Sequence, residues 1–124
     1  MVFQFPMYWY STPSLMKKWE DLVLEHGWAY GSQGHALDGK EVLVAVSTGA
    51  RLGDYQPGSE QNHTVNEYLL PLFATFATTR MTILQPFIID GGLYINETEL
   101  AQRTKDYQKL LSKEKLPHLK YQVL

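Results

Sequence analysis

The side chains that could do chemistry here are few. His26, His35, His63 and His118 include no pair at helical ligand spacing, and the chain has no cysteine, so no metal site is expected. There is no P-loop, no G-x-G-x-x-G and no nucleophile elbow. Gly31-Ser-Gln-Gly34 follows no strand directly and reads as linker rather than as a phosphate loop. Two other loops remain. Pro6-Met-Tyr-Trp-Tyr10 offers aromatic faces, and Ser47-Thr-Gly-Ala50, running on to Tyr55, offers backbone N–H groups beside small side chains. Side by side they would suit a flat, hydrogen-bonding, redox-active ring. The alternative is an unliganded surface in which the aromatics cover a core edge.

Strands must bring these loops together. Val2–Phe5 has strand composition, and pairing should stop at Pro6, which has no N–H to give a ladder. Ser11 or Thr12 is the expected cap of the next helix, with Pro13 in its first turn. Leu15, Met16, Trp19, Leu22 and Val23 then make one apolar helical face, opposite Lys17, Lys18 and Glu20, and His26-Gly27 ends the helix. Trp28 to Gly39 is a long polar loop, a length that is usually functional or mobile. Its leading aromatics, Trp28 and Tyr30, need a surface to pack on.

Glu41-Val-Leu-Val-Ala-Val46 has the continuous apolar run of a strand covered on both faces. Thr64-Val-Asn-Glu67 has capping-box spacing and opens a helix through Phe76 that Pro71 should kink. Met81–Ile89 is a strand interrupted at Pro86, its second half expected at a sheet edge. Asp90-Gly-Gly92 turns the chain. Asn96 caps a last helix with Leu100, Tyr107, Leu110 and Leu111 expected inward, and Pro117 and the tail to Leu124 lie past it. Strand-helix alternation of this kind predicts a parallel sheet with helices on both faces.

At 124 residues, 44% hydrophobic and 19% charged, the expected organisation is one globular domain spanning residues 1–124. A net charge of −2 provides no footprint for nucleic acid. No apolar run has membrane-spanning length and no signal peptide is visible, so no membrane insertion is expected. The lack of cysteine fits a reducing cytosol, and a cytoplasmic location is expected.

The segment from Phe5 to Trp19, Phe-Pro-Met-Tyr-Trp-Tyr-Ser-Thr-Pro-Ser-Leu-Met-Lys-Lys-Trp, resembles the third strand, flavin loop and third helix of the flavodoxin-like NAD(P)H:quinone oxidoreductases. That group includes the DT-diaphorase-like enzymes and the bacterial reductases ancillary to potassium efflux. Gly27-Trp-Ala-Tyr30 is similar to the family's phenylalanine-alanine-tyrosine segment, and Val46-Ser-Thr-Gly-Ala50 to its threonine-threonine-glycine-glycine flavin loop. Leu70-Pro-Leu72 and Leu84-Gln-Pro-Phe87 also match, so the resemblance runs from about residue 2 to the last helix.

The resemblance implies an α/β, flavodoxin-like three-layer α/β/α fold. Pro6, Met7, Tyr8, Trp9 and Tyr10 would line the flavin ring (FAD or FMN), and Ser47, Thr48, Gly49 and Ala50 would bind its edge. Tyr55 would steady charge on the reduced flavin, with His63 assisting. Trp28 and Tyr30 would reach a partner subunit, since the family forms homodimers. The implied reaction is ping-pong hydride transfer from NAD(P)H through the flavin to a quinone.

Three departures bear on this. Ala50 replaces the second glycine, and Arg80 stands where the family usually has glycine. Only the last three strand-helix units of the family's domain are expected in this chain, without the loop that holds the flavin phosphate. A non-catalytic dimerising or regulatory half-domain is therefore the alternative reading.

Overall fold

Five consecutive buried residues, Val42 to Val46, make β2 (Glu41–Ser47) the middle of the sheet. This is a computed structural model, and it describes residues 1–120; the end of the expected tail, 121–124, lies outside the described residues. β2 pairs in parallel with β1 (Val2–Pro6) on one side. On the other it pairs with β3 (Thr82–Ile83) and β4 (Phe87–Ile89), two pieces of one interrupted strand. The pairing runs from Val2 opposite Leu43 to Pro6 opposite Ser47, and Ser47 is also opposite Ile89.

Helices cover both faces, as the apolar run of β2 requires. On one face Phe3 packs edge-on to Trp19 of α1 (Ser14–Val23) and stacks with Phe76 of α3 (Leu70–Thr78), each at 5.3 Å between centroids. On the other, Tyr107 of α4 (Glu97–Leu111) stacks on Phe87 at 5.0 Å and its hydroxyl donates to Gln4 Oε1 at 3.1 Å. The result is the expected α/β/α sandwich. Among the described residues, no helix is long and apolar enough to cross a membrane.

Several local expectations need correction. Pairing does not stop at Pro6, because Met7 N–H donates to Ser47 O at 2.8 Å. Alternate residues of a strand donate to the same side, so the missing N–H of Pro6 falls on the side away from β2 and costs the ladder nothing. Neither Ser11 nor Thr12 caps α1; Pro13 occupies the cap position with no side-chain bond. The apolar face of α1 divides, with Met16 packed on the core while Leu15 and Leu22 stay exposed. The helix expected from Thr64 to Phe76 is broken rather than kinked: α2 (Val65–Tyr68) ends at Leu69 and Pro71 opens α3. Thr64 does cap α2, accepting from Glu67 N–H at 3.1 Å. In α4, Leu100 and Leu111 are exposed, not inward.

The loop from Trp28 to Gly39 is stitched to the sheet instead of standing free. Ala29 and Leu37 are buried, and Arg80 ties the loop from outside. Its guanidinium donates to Gly34 O and, through Nε, to Asp38 at 2.6 Å, while Gly39 N–H donates to Arg80 O at 2.9 Å. His35 Nδ1 also contacts Asp38, at 2.9 Å; this contact first, with Arg80 behind it, holds the Asp38 carboxyl below the usual range. Arg80 has φ +59°, the left-handed conformation that glycine tolerates best. The backbone shape expected of a glycine is thus kept, and an arginine adopts it because its side chain is engaged. Arg80→Gly relieves the strain and Arg80→Ala does not, while both lose the ties. Urea unfolding should therefore find the alanine variant less stable than the glycine variant by about 1 kcal/mol.

Candidate functional site

The chain leaves β1 through a strained turn. Tyr8 and Ser11 exchange backbone hydrogen bonds at 3.0 Å each way, enclosing Trp9 at φ +46° and Tyr10 at φ +63°. A two-residue hairpin loop with both residues left-handed is a type I′ turn, where Asn-Gly is favoured. An L-residue in this region costs roughly 1–2 kcal/mol. Trp9 recovers little of that by packing, since it is 93% exposed. Tyr10 packs on Tyr68, with ring centroids 4.8 Å apart. Such outliers persist where the surroundings hold them, and they concentrate at binding sites.

The second wall leaves β2. Thr48 is buried; its N–H donates to Ile89 O at 3.0 Å and its hydroxyl donates to Ala50 O at 3.0 Å. Ala50 is not among the left-handed residues, so alanine in place of glycine strains nothing. A short 3₁₀ turn, Leu52–Asp54, then delivers Tyr55, which is only 8% exposed. Its burial pushes the phenol pKa up, with Tyr10 adding to the effect. Tyr55 is therefore a neutral O–H at neutral pH.

A third wall leaves β4 and docks on the second. Gly91, Gly92 and Leu93 N–H groups donate to Ala50, Thr48 and Gly49 carbonyls at 2.7, 2.8 and 3.2 Å, and Asp90 Oδ2 accepts from Leu52 N–H at 2.7 Å. Gly91 sits at φ +68° with the Arg51 side chain against it, where a Cβ would lie 2.6 Å from Arg51 Cδ. A side chain there would have to displace Arg51 and take up the left-handed backbone as well, so glycine is favoured.

Between the walls runs an open trough of about 450 Å³. It brings together Met7, Trp9, Tyr10, Gly49, Ala50 and Tyr55 from the expected set. Pro6, Tyr8, Ser47 and Thr48 are not on its surface; they close the turn and ladder beneath it. Among the described residues, the backbone N–H groups of Trp9, Tyr10, Gly49 and Ala50 donate to no protein acceptor. A groove of about 690 Å³ beyond Arg51 is larger, but its Arg51 and Arg103 are engaged by Glu99 at 2.9 Å and Asp106 at 3.0 Å. The four residues with unspent backbone donors all line the trough.

His63, Trp28 and Tyr30 lie outside it. His63 Nδ1 contacts Glu67 Oε2 at 2.7 Å, holding that carboxyl below the usual range, and its ring stands edge-on to Tyr68 at 5.7 Å. Tyr30 lines a separate groove with Leu24 and Thr75. Sequence reasoning missed Asp54, Glu60, Gln61, Leu93 and Tyr94, which also line the trough. The signal for Leu93 and Tyr94 was available: Asp90-Gly-Gly92 follows a strand of the same sheet, so its loop must leave at the same end.

The family described as flavodoxin-like fold matches residues 1–111, and the chain belongs to it. The uncharacterized NAD(P)H oxidoreductase YrkL of Bacillus subtilis (strain 168) is 48% identical over 112 residues, covering 88% of this chain and 64% of that protein. A solved thermophilic tryptophan halogenase from Streptomycin violaceusniger superposes with TM-score 0.87 at 44% identity, over 91% of this chain and 66% of that one. General stress protein 14 from Treponema denticola, solved in complex with FMN, superposes with TM-score 0.82 at 37% identity, over 89% of this chain and 63% of that one. The chain thus spans a little under two thirds of each relative's length.

Two measurements check the site's physics. Trp9→Asn should raise stability by about 1 kcal/mol in urea unfolding, because asparagine accepts the left-handed turn and Trp9 makes little packing to lose. The raised Tyr55 pKa stabilises the fold below the ordinary tyrosine value of 10.0, and that contribution is lost as pH rises from there through the raised value. Alkaline unfolding followed at 295 nm should show this loss in the wild type and not in Tyr55→Phe.

Proposed function

We propose that the trough binds the ring system of FMN and that the protein is an NAD(P)H-dependent oxidoreductase that delivers hydride to a quinone. The observation that carries this reading is the left-handed Trp9–Tyr10 pair. It leaves two backbone N–H groups unspent beside two aromatic faces, across from the unspent N–H groups of Gly49 and Ala50. A flavin has a flat face to stack and an edge of oxygen and nitrogen acceptors, so the donor set fits the group. When bound, the flavin supplies the hydride chemistry that no side chain here possesses. The FMN of the Treponema neighbour and the oxidoreductase name of the Bacillus relative support the assignment. The quinone comes from the family resemblance.

In this proposal Met7, Trp9 and Tyr10 meet the ring face, and Gly49 and Ala50 its edge. Pro6, Tyr8, Ser47 and Thr48 hold those groups in place. Tyr55 donates its neutral phenol proton toward negative charge that develops during reaction. His63, behind Tyr68, supports that wall. The trough is open, which leaves access for a donor and then an acceptor in ping-pong order. Trp28 and Tyr30, exposed and away from the trough, are proposed to meet a second copy in a homodimer.

FMN titration followed by fluorescence quenching, with mass determination on the same sample, tests the reading. The expected result is micromolar or tighter binding, bleaching by NADPH without oxygen, and a dimer. Tyr55→Phe should keep FMN affinity within about threefold and slow quinone reduction about tenfold, the worth of one hydrogen bond of ~1.4 kcal/mol. A folded chain that ignores FMN would sink the reading and leave the dimerising module.

A further inference from the structure

Tyr68 lies outside the trough yet touches three of the residues that line it. Its ring stacks on Tyr10 at 4.8 Å with the planes tilted by 35°, and meets Tyr55 edge-on at 6.2 Å. Its hydroxyl donates to Gln61 O at 2.5 Å. The backbone carrying it is short and held at both ends. The Thr64–Glu67 capping box opens α2, and α3 begins at Leu70 immediately beyond the cap residue Leu69. His63, pinned by Glu67, presses on the ring from the side.

These contacts bear on the strained turn. Trp9 and Tyr10 are both left-handed, but Trp9 is almost fully exposed and contributes little hold. Among the described residues, the aromatic contact that holds Tyr10 is the one with Tyr68. The paired Tyr8–Ser11 hydrogen bonds close this type I′ turn, but two aromatic residues do not favour its left-handed backbone, so tertiary contact must add to what holds it.

We propose that Tyr68 is the positioning residue of the trough: its ring holds the Trp9–Tyr10 turn in its left-handed shape. The consequence for ring binding rests on the flavin reading; the consequence for the turn does not.

The test uses the 124-residue chain carrying 5-fluorotryptophan, with the Trp9 signal assigned through Trp9→Phe. Without FMN, Tyr68→Leu should shift or split the Trp9 resonance and leave those of Trp19 and Trp28 in place, whereas Tyr68→Phe, which keeps the ring, should leave all three unmoved. An unmoved Trp9 resonance in Tyr68→Leu overturns the proposal. If that variant unfolds and all three signals collapse, Tyr68→Met, which keeps apolar volume, decides by the same criterion. With FMN, Tyr68→Leu should weaken binding at least tenfold and Tyr68→Phe less than threefold. In a Tyr10→Gly background the Tyr68→Leu change should add less than twofold, because both remove the same hold. Additive losses would show that Tyr68 acts elsewhere and overturn the proposal. A wild type that binds no FMN defeats the flavin reading, and the fluorine spectra then decide Tyr68 alone.

Discussion

The row Pro6–Ser47–Ile89 across β2 is the constraint on which the rest of this structure depends. β2 is buried on both faces along Val42–Val46, so it has no solvent face to define its orientation. Its register is set instead by neighbours on both edges, where slippage by one residue would turn every side chain over. Because β1, β2 and β4 end in one row, three loops leave the sheet at the same level. The Thr48 N–H bond to Ile89 O extends the row by one residue, and the bonds from Gly91, Gly92 and Leu93 knit the second and third loops together. A trough between loops exists because the ladders beneath it are aligned.

The two edges of the sheet differ. Beyond β3, Leu119 N–H donates to Ile83 O at 2.8 Å and Gln85 N–H donates to Pro117 O at 2.8 Å, so the segment after α4 covers that side. The break at Pro86 falls on this outer strand, where a missing donor is tolerated. β1 has β2 as its strand partner among the described residues, and its other edge carries no ladder there.

Left-handed residues other than glycine occur in both scaffold and site, and each is held differently. Asn62, at φ +60°, is an amino acid that tolerates the region, and its Oδ1 accepts from Gly58 N–H at 3.0 Å. Arg80 is held by the loop it stitches. The side chains of Trp9 and Tyr10 make no such polar tie among the described residues, and they are the pair that edges the trough. Strain at Asn62 is offset by its own side chain, and strain at Arg80 by polar ties to a loop distant in sequence. Strain at the trough is offset by ring packing, through Tyr10 and Tyr68, which leaves aromatic faces on the surface.

Much of the architecture was legible in the residues. The apolar run of Glu41–Val46, the strand-helix alternation, the caps at Thr64 and Asn96 and the break at Pro86 each depend on a few neighbouring side chains, and local chemistry is enough to place them. The loops at Pro6–Tyr10 and Ser47–Tyr55 were legible for the same reason: strand ends and turn-forming residues are local signals. Other features depend on groups far apart in the chain. The continuation of pairing past Pro6 needed the direction of its N–H relative to β2. The burial of Tyr55 and the stack of Tyr68 on Tyr10 needed two loops brought together by register. The tie from Arg80 to Gly34 spans 46 residues, and the division of the α1 face between Met16 and Leu15 depended on what lay opposite. Sequence alone determined which elements form, but not each of their ends: pairing runs past Pro6 and the helix expected from Thr64 divides at Leu69. Tertiary structure decided which side chains meet, because contact across a sheet depends on alignment that neighbouring residues do not encode.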